Sequence, residues 1–161
     1  MKRKIWLILL IGLGLFLFWA IKFSRIEKAE FVKKFNNSQL IEVRRVIDGD
    51  TIEVKIGDKN EMVRLIGIDA PEMTDSSMKG LKAIEAKEKL EDILKDKKLI
   101  LESDESQDNR DVYNRLLRYI YLEDGTLVNK EMIKTGLVEE YTFIVPYKYQ
   151  EEFRKIENNI K

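Results

Sequence analysis

Three short runs of this chain bring together residue types that do chemistry. They are Ile47-Asp48-Gly49-Asp50-Thr51, Val63-Arg64-Leu65-Ile66-Gly67-Ile68-Asp69-Ala70-Pro71-Glu72, and Arg110-Asp111-Val112-Tyr113-Asn114-Arg115. Their functional groups are carboxylates, guanidiniums, one phenol and short polar side chains. Nothing stronger is available elsewhere, because the 161 residues include no His and no Cys. That composition excludes an imidazole base, a thiolate nucleophile, a zinc-thiolate site and a disulfide framework. Catalysis by this chain has to run on carboxylates, Arg, Lys, Tyr or an oxygen-bound metal. Oxygen ligands favour hard cations such as Ca²⁺ or Mg²⁺.

Each run also has a plain structural reading. Asp48-Gly49 is a strong hairpin-turn pair, but a turn does not account for the second carboxylate, Asp50, at the entry to the next strand. The spacing is not that of an EF-hand loop, which needs spaced oxygen ligands and a terminal Glu. In the second run, strict alternation puts Arg64 and Asp69 on opposite faces of a strand. Gly67 and Pro71 are places where the chain can bend and bring both into one pocket. Two carboxylates and an Arg there, near Asp50, suit a hard metal bound beside an anionic substrate; the competing reading is a strand ending in a solvated turn. The third run reads either as a charged hairpin with an Asp–Arg pair, or as a phosphate clamp at Arg115 with Tyr113 stacking beside it.

The elements that must position these runs follow from periodicity. Ile52, Val54 and Ile56 alternate with Glu53 and Lys55, the pattern of a half-buried strand. Leu40–Ile47 and Glu61–Gly67 are strand candidates on either side of it. A helix is expected over Ser77–Lys95, with Leu81, Ile84, Leu90, Ile93 and Leu94 as its apolar stripe and Ser76 or Ser77 as cap. Lys98–Glu102 and Leu116–Leu122 are two further strands, separated by an acidic loop. A short helix over Val128–Thr135 ends at Gly136, and a last one opens at Pro146 with Tyr149, Phe153, Ile156 and Ile160 on one side. The order βββ-α-ββ-α-α predicts an α+β domain: a five-stranded OB-type β-barrel with three helices.

Ahead of this domain, Lys2, Arg3 and Lys4 precede Ile5–Ile21, a 17-residue run without a charge. That is short for a bilayer span but sufficient, and Trp6, Phe16, Phe18 and Trp19 stand near its ends. It reads as a single N-terminal transmembrane anchor over residues 1–21, with a stalk over 22–38 and the domain over 39–161. A cleaved signal peptide is the rival: Ala20 suits its −1 position, but Phe18 then falls at −3. The basic tip favours a cytoplasmic N-terminus with the domain outside. Overall the chain balances 29 basic residues against 29 acidic ones. Since the tip takes three basic residues and no acidic one, the remainder carries 26 against 29, a net −3.

Taken together, VIDGDT, VRLIGIDAPE, DVYNRLLRYIY and GTLVNKEMIKTGL resemble the staphylococcal-nuclease or thermonuclease family over about Ile41–Ile156. The resemblance implies an OB barrel that hydrolyses phosphodiester bonds of DNA and RNA with Ca²⁺, acting as a monomer. It implies Asp50, Asp69 and the backbone carbonyl of Ala70 as metal ligands. Glu72 matches the carboxylate that activates or orients the attacking water. Arg64 and Arg115 match the pair that neutralises the phosphate, with Tyr113 beside them as a substrate contact.

Three positions depart from the family pattern. Ala70 replaces a common Thr, which leaves a main-chain ligand intact. Asn114 replaces a common Gly, and Asn tolerates left-handed backbone angles. Val112 stands where relatives are often basic, so one phosphate contact is absent. The competing functional reading is a non-catalytic nuclease-like module that binds nucleic acid or protein. Retention of Asp50, Asp69, Glu72, Arg64 and Arg115 together counts against it. With a body of net −3, affinity for a polyanion has to come from local groups rather than from a general basic field.

Overall fold

The structure is a computed structural model that describes residues 38–72 and 78–161, together with five isolated positions nearer the N-terminus. The expected anchor over 1–21 and stalk over 22–38 lie almost wholly outside the described residues, as do the proposed cap residues Ser76 and Ser77. Among the described residues no helix is long and apolar enough to cross a membrane. Phe31 and Phe35 are both helical, with ring centroids 4.8 Å apart. Gln39–Lys161 forms one compact unit.

Among the described residues, that unit has seven strands and three helices: β1 (Ile41–Val46), β2 (Thr51–Ile56), β3 (Lys59–Leu65), β4 (Ile68–Asp69), α1 (Met78–Leu94), β5 (Lys98–Glu102), β6 (Leu116–Leu122), α2 (Val128–Lys134), β7 (Glu139–Glu140) and α3 (Gln150–Ile160). Five strands close a barrel in the order β1-β2-β3-β6-β5, with β1 returning to pair with β5. The β3–β6 pair is parallel and the other four are antiparallel. The barrel and helices agree with the expected OB-type fold.

Alternation carries the core. Ile52 and Val54 of β2, Val63 and Leu65 of β3, Leu99 of β5 and Ile120 of β6 are buried in the barrel. Met132 and Ile133 of α2 and Phe153 of α3 are buried as well, where the helices pack. Closing the sheet leaves these strands with no open edge.

Three local features differ from the periodicity reading. First, β4 and β7 pair as a separate two-stranded sheet, Ile68 opposite Glu140 and Asp69 opposite Glu139; two residues are too few to register as alternation. Second, α3 begins at Gln150 rather than Pro146, after a turn in which Gln150 N–H bonds the Tyr147 carbonyl. Third, α1 buries only part of its expected stripe, Leu90 and Leu94, and adds two alanines to it. Ala83, Ala86, Leu90 and Leu94 are buried, while Leu81 is 63% and Ile84 47% exposed. The cause is the turn it packs on: a Cβ on Gly49 would lie 2.7 Å from the Ala86 Cβ. Only small side chains fit at so close an approach.

Candidate active site

A cleft of about 700 Å³ opens where the start of β2, the bend after β3, the loop before β6 and the segment leading into α3 meet. Its charged residues come from all three sequence runs.

Asp50 sits at the floor, 5% exposed. Its Oδ2 accepts a 2.6 Å hydrogen bond from the Ala70 N–H, and its Oδ1 accepts one of 2.9 Å from the Thr51 hydroxyl. Arg64 Nε stands 3.1 Å from the same Oδ1. Burial pushes the carboxyl up to about 7, and Asp48 adds to the rise; Arg64 and the bonds from Ala70 and Thr51 pull against it. Desolvation is the larger influence here, and Arg64 offsets only part of it.

Arg64 is the centre of the cluster. Besides Asp50 it reaches Asp69 Oδ1 through Nη2 at 2.7 Å. Nη1 donates to the Leu65 carbonyl at 3.1 Å and to the Ile68 carbonyl at 2.6 Å. The convergence of Arg64 and Asp69, which alternation alone forbids, comes from the bend at Gly67, where φ is +82°. That bend is tightly enclosed: a Cβ there would lie 2.5 Å from the Tyr147 ring. It is also pinned. The Gly67 carbonyl accepts from Tyr141 N–H at 3.1 Å and from the Tyr147 hydroxyl at 3.2 Å. The wholly buried Asn129 donates to the Ile66 carbonyl and accepts from Ile120 N–H, both at 2.9 Å. Burial first, then Glu140, holds the Tyr147 phenol well above its ordinary range, so it stays protonated and able to donate.

Arg115 approaches from the other side. Asp111 organises its loop: Oδ1 accepts from Tyr113 N–H and Arg115 N–H, and Oδ2 accepts from Arg115 Nε at 2.6 Å. Burial opposes the charge on Asp111, but these bonds and the Arg115 guanidinium outweigh it and keep the carboxyl below the ordinary carboxylate range. Asn114 adopts φ +66°, the left-handed geometry its side chain tolerates. Arg115 Nη1 donates to the Thr51 hydroxyl at 3.3 Å. A continuous path therefore runs Arg115–Thr51–Asp50–Arg64–Asp69.

The structure brings Asp50, Asp69, Ala70, Arg64 and Arg115 together in one cleft. Glu72 and Tyr113 line the same cleft from exposed positions. Tyr113 is 77% exposed, and the Arg115 guanidinium lies 5.4 Å from its ring centroid. Ala70 contributes through its N–H to Asp50, a contact the main-chain carbonyl reading does not include. The Asp–Arg pair expected in the third run is Asp111 with Arg115, whereas Thr51, Asn129 and Tyr147 were not anticipated as supports. Those three take their partners from distant segments and carry no local signal in sequence. An apolar wall of Tyr141, Phe143, Ile144 and Val145 completes the cleft.

The oxygen donors fit a hard cation. Two carboxylates, Asp50 and Asp69, converge on the one guanidinium of Arg64 beside the Ala70 main chain. Among the described residues no group of three or more His, Cys, Asp or Glu is arranged to hold a metal. A bound cation would therefore complete its shell from main-chain and water oxygens, as Ca²⁺ and Mg²⁺ readily do.

Comparison with known proteins agrees with this architecture. The family described as staphylococcal nuclease homologue matches residues 62–161. Endonuclease YncB of Bacillus subtilis (strain 168) is 34% identical over 139 residues, covering 84% of this chain and 65% of its own. SPbeta prophage-derived endonuclease YokF of the same strain is 35% identical over 119 residues, 73% of this chain and 40% of its own. Thermonuclease of Staphylococcus hyicus is 34% identical over 120 residues, 74% of this chain and 69% of its own. The chain belongs to the staphylococcal nuclease family, and it spans less than two thirds of the length of either Bacillus relative. Arg64, Asp69, Glu72 and Arg115 fall within the family match, while Asp50 lies ahead of it.

Proposed function

We propose that this domain is a Ca²⁺-dependent nuclease that hydrolyses phosphodiester bonds of DNA and RNA by attack of water, working as a monomer. The observation that carries the reading is the hydrogen-bonded path joining two arginines and two carboxylates across one cleft. Asp50, Asp69 and the Ala70 carbonyl would hold the cation. When bound, it supplies positive charge to the phosphate and acidifies water.

The chain's own residues do the rest. Arg64 and Arg115 present fixed guanidiniums from opposite sides of the cleft, where a five-coordinate phosphate gathers negative charge. Each N–H that Arg64 gives to Asp50 or Asp69 is withheld from phosphate. Substrate binding must therefore draw its fork partly away from those carboxylates. Asp111 holds Arg115 by Nε, which leaves the Nη groups as its working donors. Glu72, exposed at the cleft and carrying a carboxylate, orients the attacking water or accepts its proton.

The test incubates the protein with single-stranded DNA and with RNA, in Ca²⁺ and in chelator. Cleavage confined to the Ca²⁺ samples is expected; a folded preparation that leaves both substrates intact sinks the proposal. Glu72→Gln should lower turnover by about 10²-fold or more with an unchanged circular dichroism spectrum. Arg64→Lys keeps the charge but loses the planar fork, and should also lose most activity. The same reading has Ile5–Ile21 anchoring the domain to a membrane, on its outer side. The support is the +3 tip and the uncharged run, and recovery of the intact chain in a carbonate-washed membrane pellet is the check.

A further inference from the structure

The cleft holds a third guanidinium that the mechanism leaves unused. Arg110 lines it together with Arg64 and Arg115. Its backbone is fixed, because Arg110 bridges Leu116 at the entry to β6. The turn beyond it is closed by the Asp111 N–H bonding the Arg115 carbonyl at 3.0 Å. Its side chain is held as well: Nη1 donates to Glu61 Oε2 and to the Asn114 carbonyl, each at 2.8 Å. Both acceptors share one nitrogen, which leaves Nε and Nη2 as the donors of this cleft-lining residue available to a ligand.

The other two arginines differ in this respect. Arg64 commits all three nitrogens to Asp50, Asp69 and two carbonyls, with its side chain 12% exposed. Arg115 gives Nε to Asp111 and Nη1 to Thr51, with 26% exposure. Arg110 is the most accessible at 31%. Its carboxylate partner, Glu61, lies on β3 and is not a cleft residue, whereas Asp50, Asp69 and Asp111 all are. The cleft offers six carboxylates against three arginines. An entering polyanion therefore meets its most accessible guanidinium at Arg110.

We infer that Arg110 binds a backbone phosphate of the nucleic acid at a subsite beside the Arg64–Arg115 pair. The inference rests on the proposed nuclease reading. Its chemistry is that of a guanidinium held from behind by one carboxylate and presenting its remaining fork to a phosphate. The rival is a staple, in which the Arg110–Glu61 pair merely ties the loop to β3.

Salt dependence separates the two, because each phosphate contact to a single strand contributes about 0.7 to the slope of log K against log salt. Binding of the full-length chain to a fluorescein-labelled oligothymidylate is followed by anisotropy in chelator, across a salt series. Arg110→Gln should flatten the slope by about 0.7. In the Ca²⁺ cleavage assay it should raise KM severalfold and leave kcat within about twofold, the signature of lost uniform binding. Arg110→Lys should restore the slope, and Glu61→Gln should keep it. An unchanged slope in Arg110→Gln overturns the inference, as does Glu61→Gln reproducing the Arg110→Gln defect. An Arg110→Gln protein that fails to fold overturns it too, in favour of the staple. A wild-type chain that neither binds nor cleaves overturns the nuclease reading itself, whereas one that does both while Arg110→Gln matches it removes only the subsite.

Discussion

Replacing Gly49 by alanine adds one methyl group where the structure has no room for it. The new Cβ would stand 2.7 Å from the Ala86 Cβ and 2.9 Å from the Ala70 Cβ, well inside van der Waals contact. Gly49 does not occupy the left-handed region, so the substitution brings no backbone strain and even stiffens the unfolded chain by about 0.4–1 kcal/mol. Against that gain stands overpacking of about 1–3 kcal/mol. The net is a loss of about 1–2 kcal/mol, read as a Tm lower by roughly 3–10 °C for a domain of this size. Activity should fall further than stability. The displaced turn carries Asp50, and Ala70 is both the second clashing residue and the donor to Asp50 Oδ2. A shift approaching 1 Å at the reacting groups costs up to about 10²-fold in rate. Ala86→Gly in the same chain removes the nearest clash but puts Gly inside α1, at about 0.8–1.0 kcal/mol. The double variant should therefore regain much of the activity while its Tm stays depressed. Urea titration, calorimetry and single-turnover cleavage on the four proteins of the cycle give the answer. A Gly49→Ala protein with wild-type Tm and wild-type rate refutes the close-approach argument, as do two substitutions whose effects on rate simply add.

Three further outcomes follow from single contacts. Asp104 accepts from Tyr119 Oη at 2.7 Å, Lys148 N–H at 2.8 Å and Ser106 N–H at 2.9 Å; burial opposes its charge, but these bonds prevail and hold the carboxyl below its ordinary value. Because the folded pKa is depressed, the stabilisation is complete above the unfolded value near 3.9 and disappears as pH falls through the folded one. Asp104→Asn should cost about 1–2 kcal/mol at pH 7, and its Tm curve should converge on that of wild type only as pH falls from the unfolded value through the lower folded one; a constant offset across pH contradicts the assignment. Asn114, at φ +66°, should tolerate Gly with no loss and lose about 1 kcal/mol on replacement by Ala, as read by chemical denaturation; equal stabilities for the two variants count against the left-handed geometry. Tyr113→Ala should leave Tm within about 1–2 °C, since the side chain is 77% exposed, yet weaken oligonucleotide binding by about 1–3 kcal/mol through loss of one stacked base; unchanged affinity removes Tyr113 from the substrate surface.

How much of this was legible in the chain depends on the range over which each feature is determined. The barrel strands announce themselves because one face of each is buried, so alternation at Ile52 and Val54 reports the closed sheet directly. The bend that unites Arg64 with Asp69 was legible for a similar reason, since only a residue without a side chain fits against Tyr147 at position 67, and Gly67 stands there. The face of α1 was legible only in its second half, at Leu90 and Leu94. Leu81 and Ile84 offer the stronger apolar pattern, but a helix that must approach Gly49 within a methyl's breadth turns its alanines inward. Thr51 and Asn129 escaped for a different reason. Neither is remarkable within its own segment, and each acquires its role from a partner more than 60 positions away, Arg115 in one case and Ile66 in the other. Register supplies those partners: β2 pairs with β3 so that Thr51 faces Arg64, and the parallel β3–β6 pairing places Leu116 beside Val63, with Arg115 immediately before it. A slip of one residue in either pairing would turn Thr51 or Arg115 to the opposite face. Asp50 would then be buried without its hydroxyl donor, against a carboxyl that burial already pushes towards protonation. The same barrel closure that buries the core therefore also sets the charge state of the cleft.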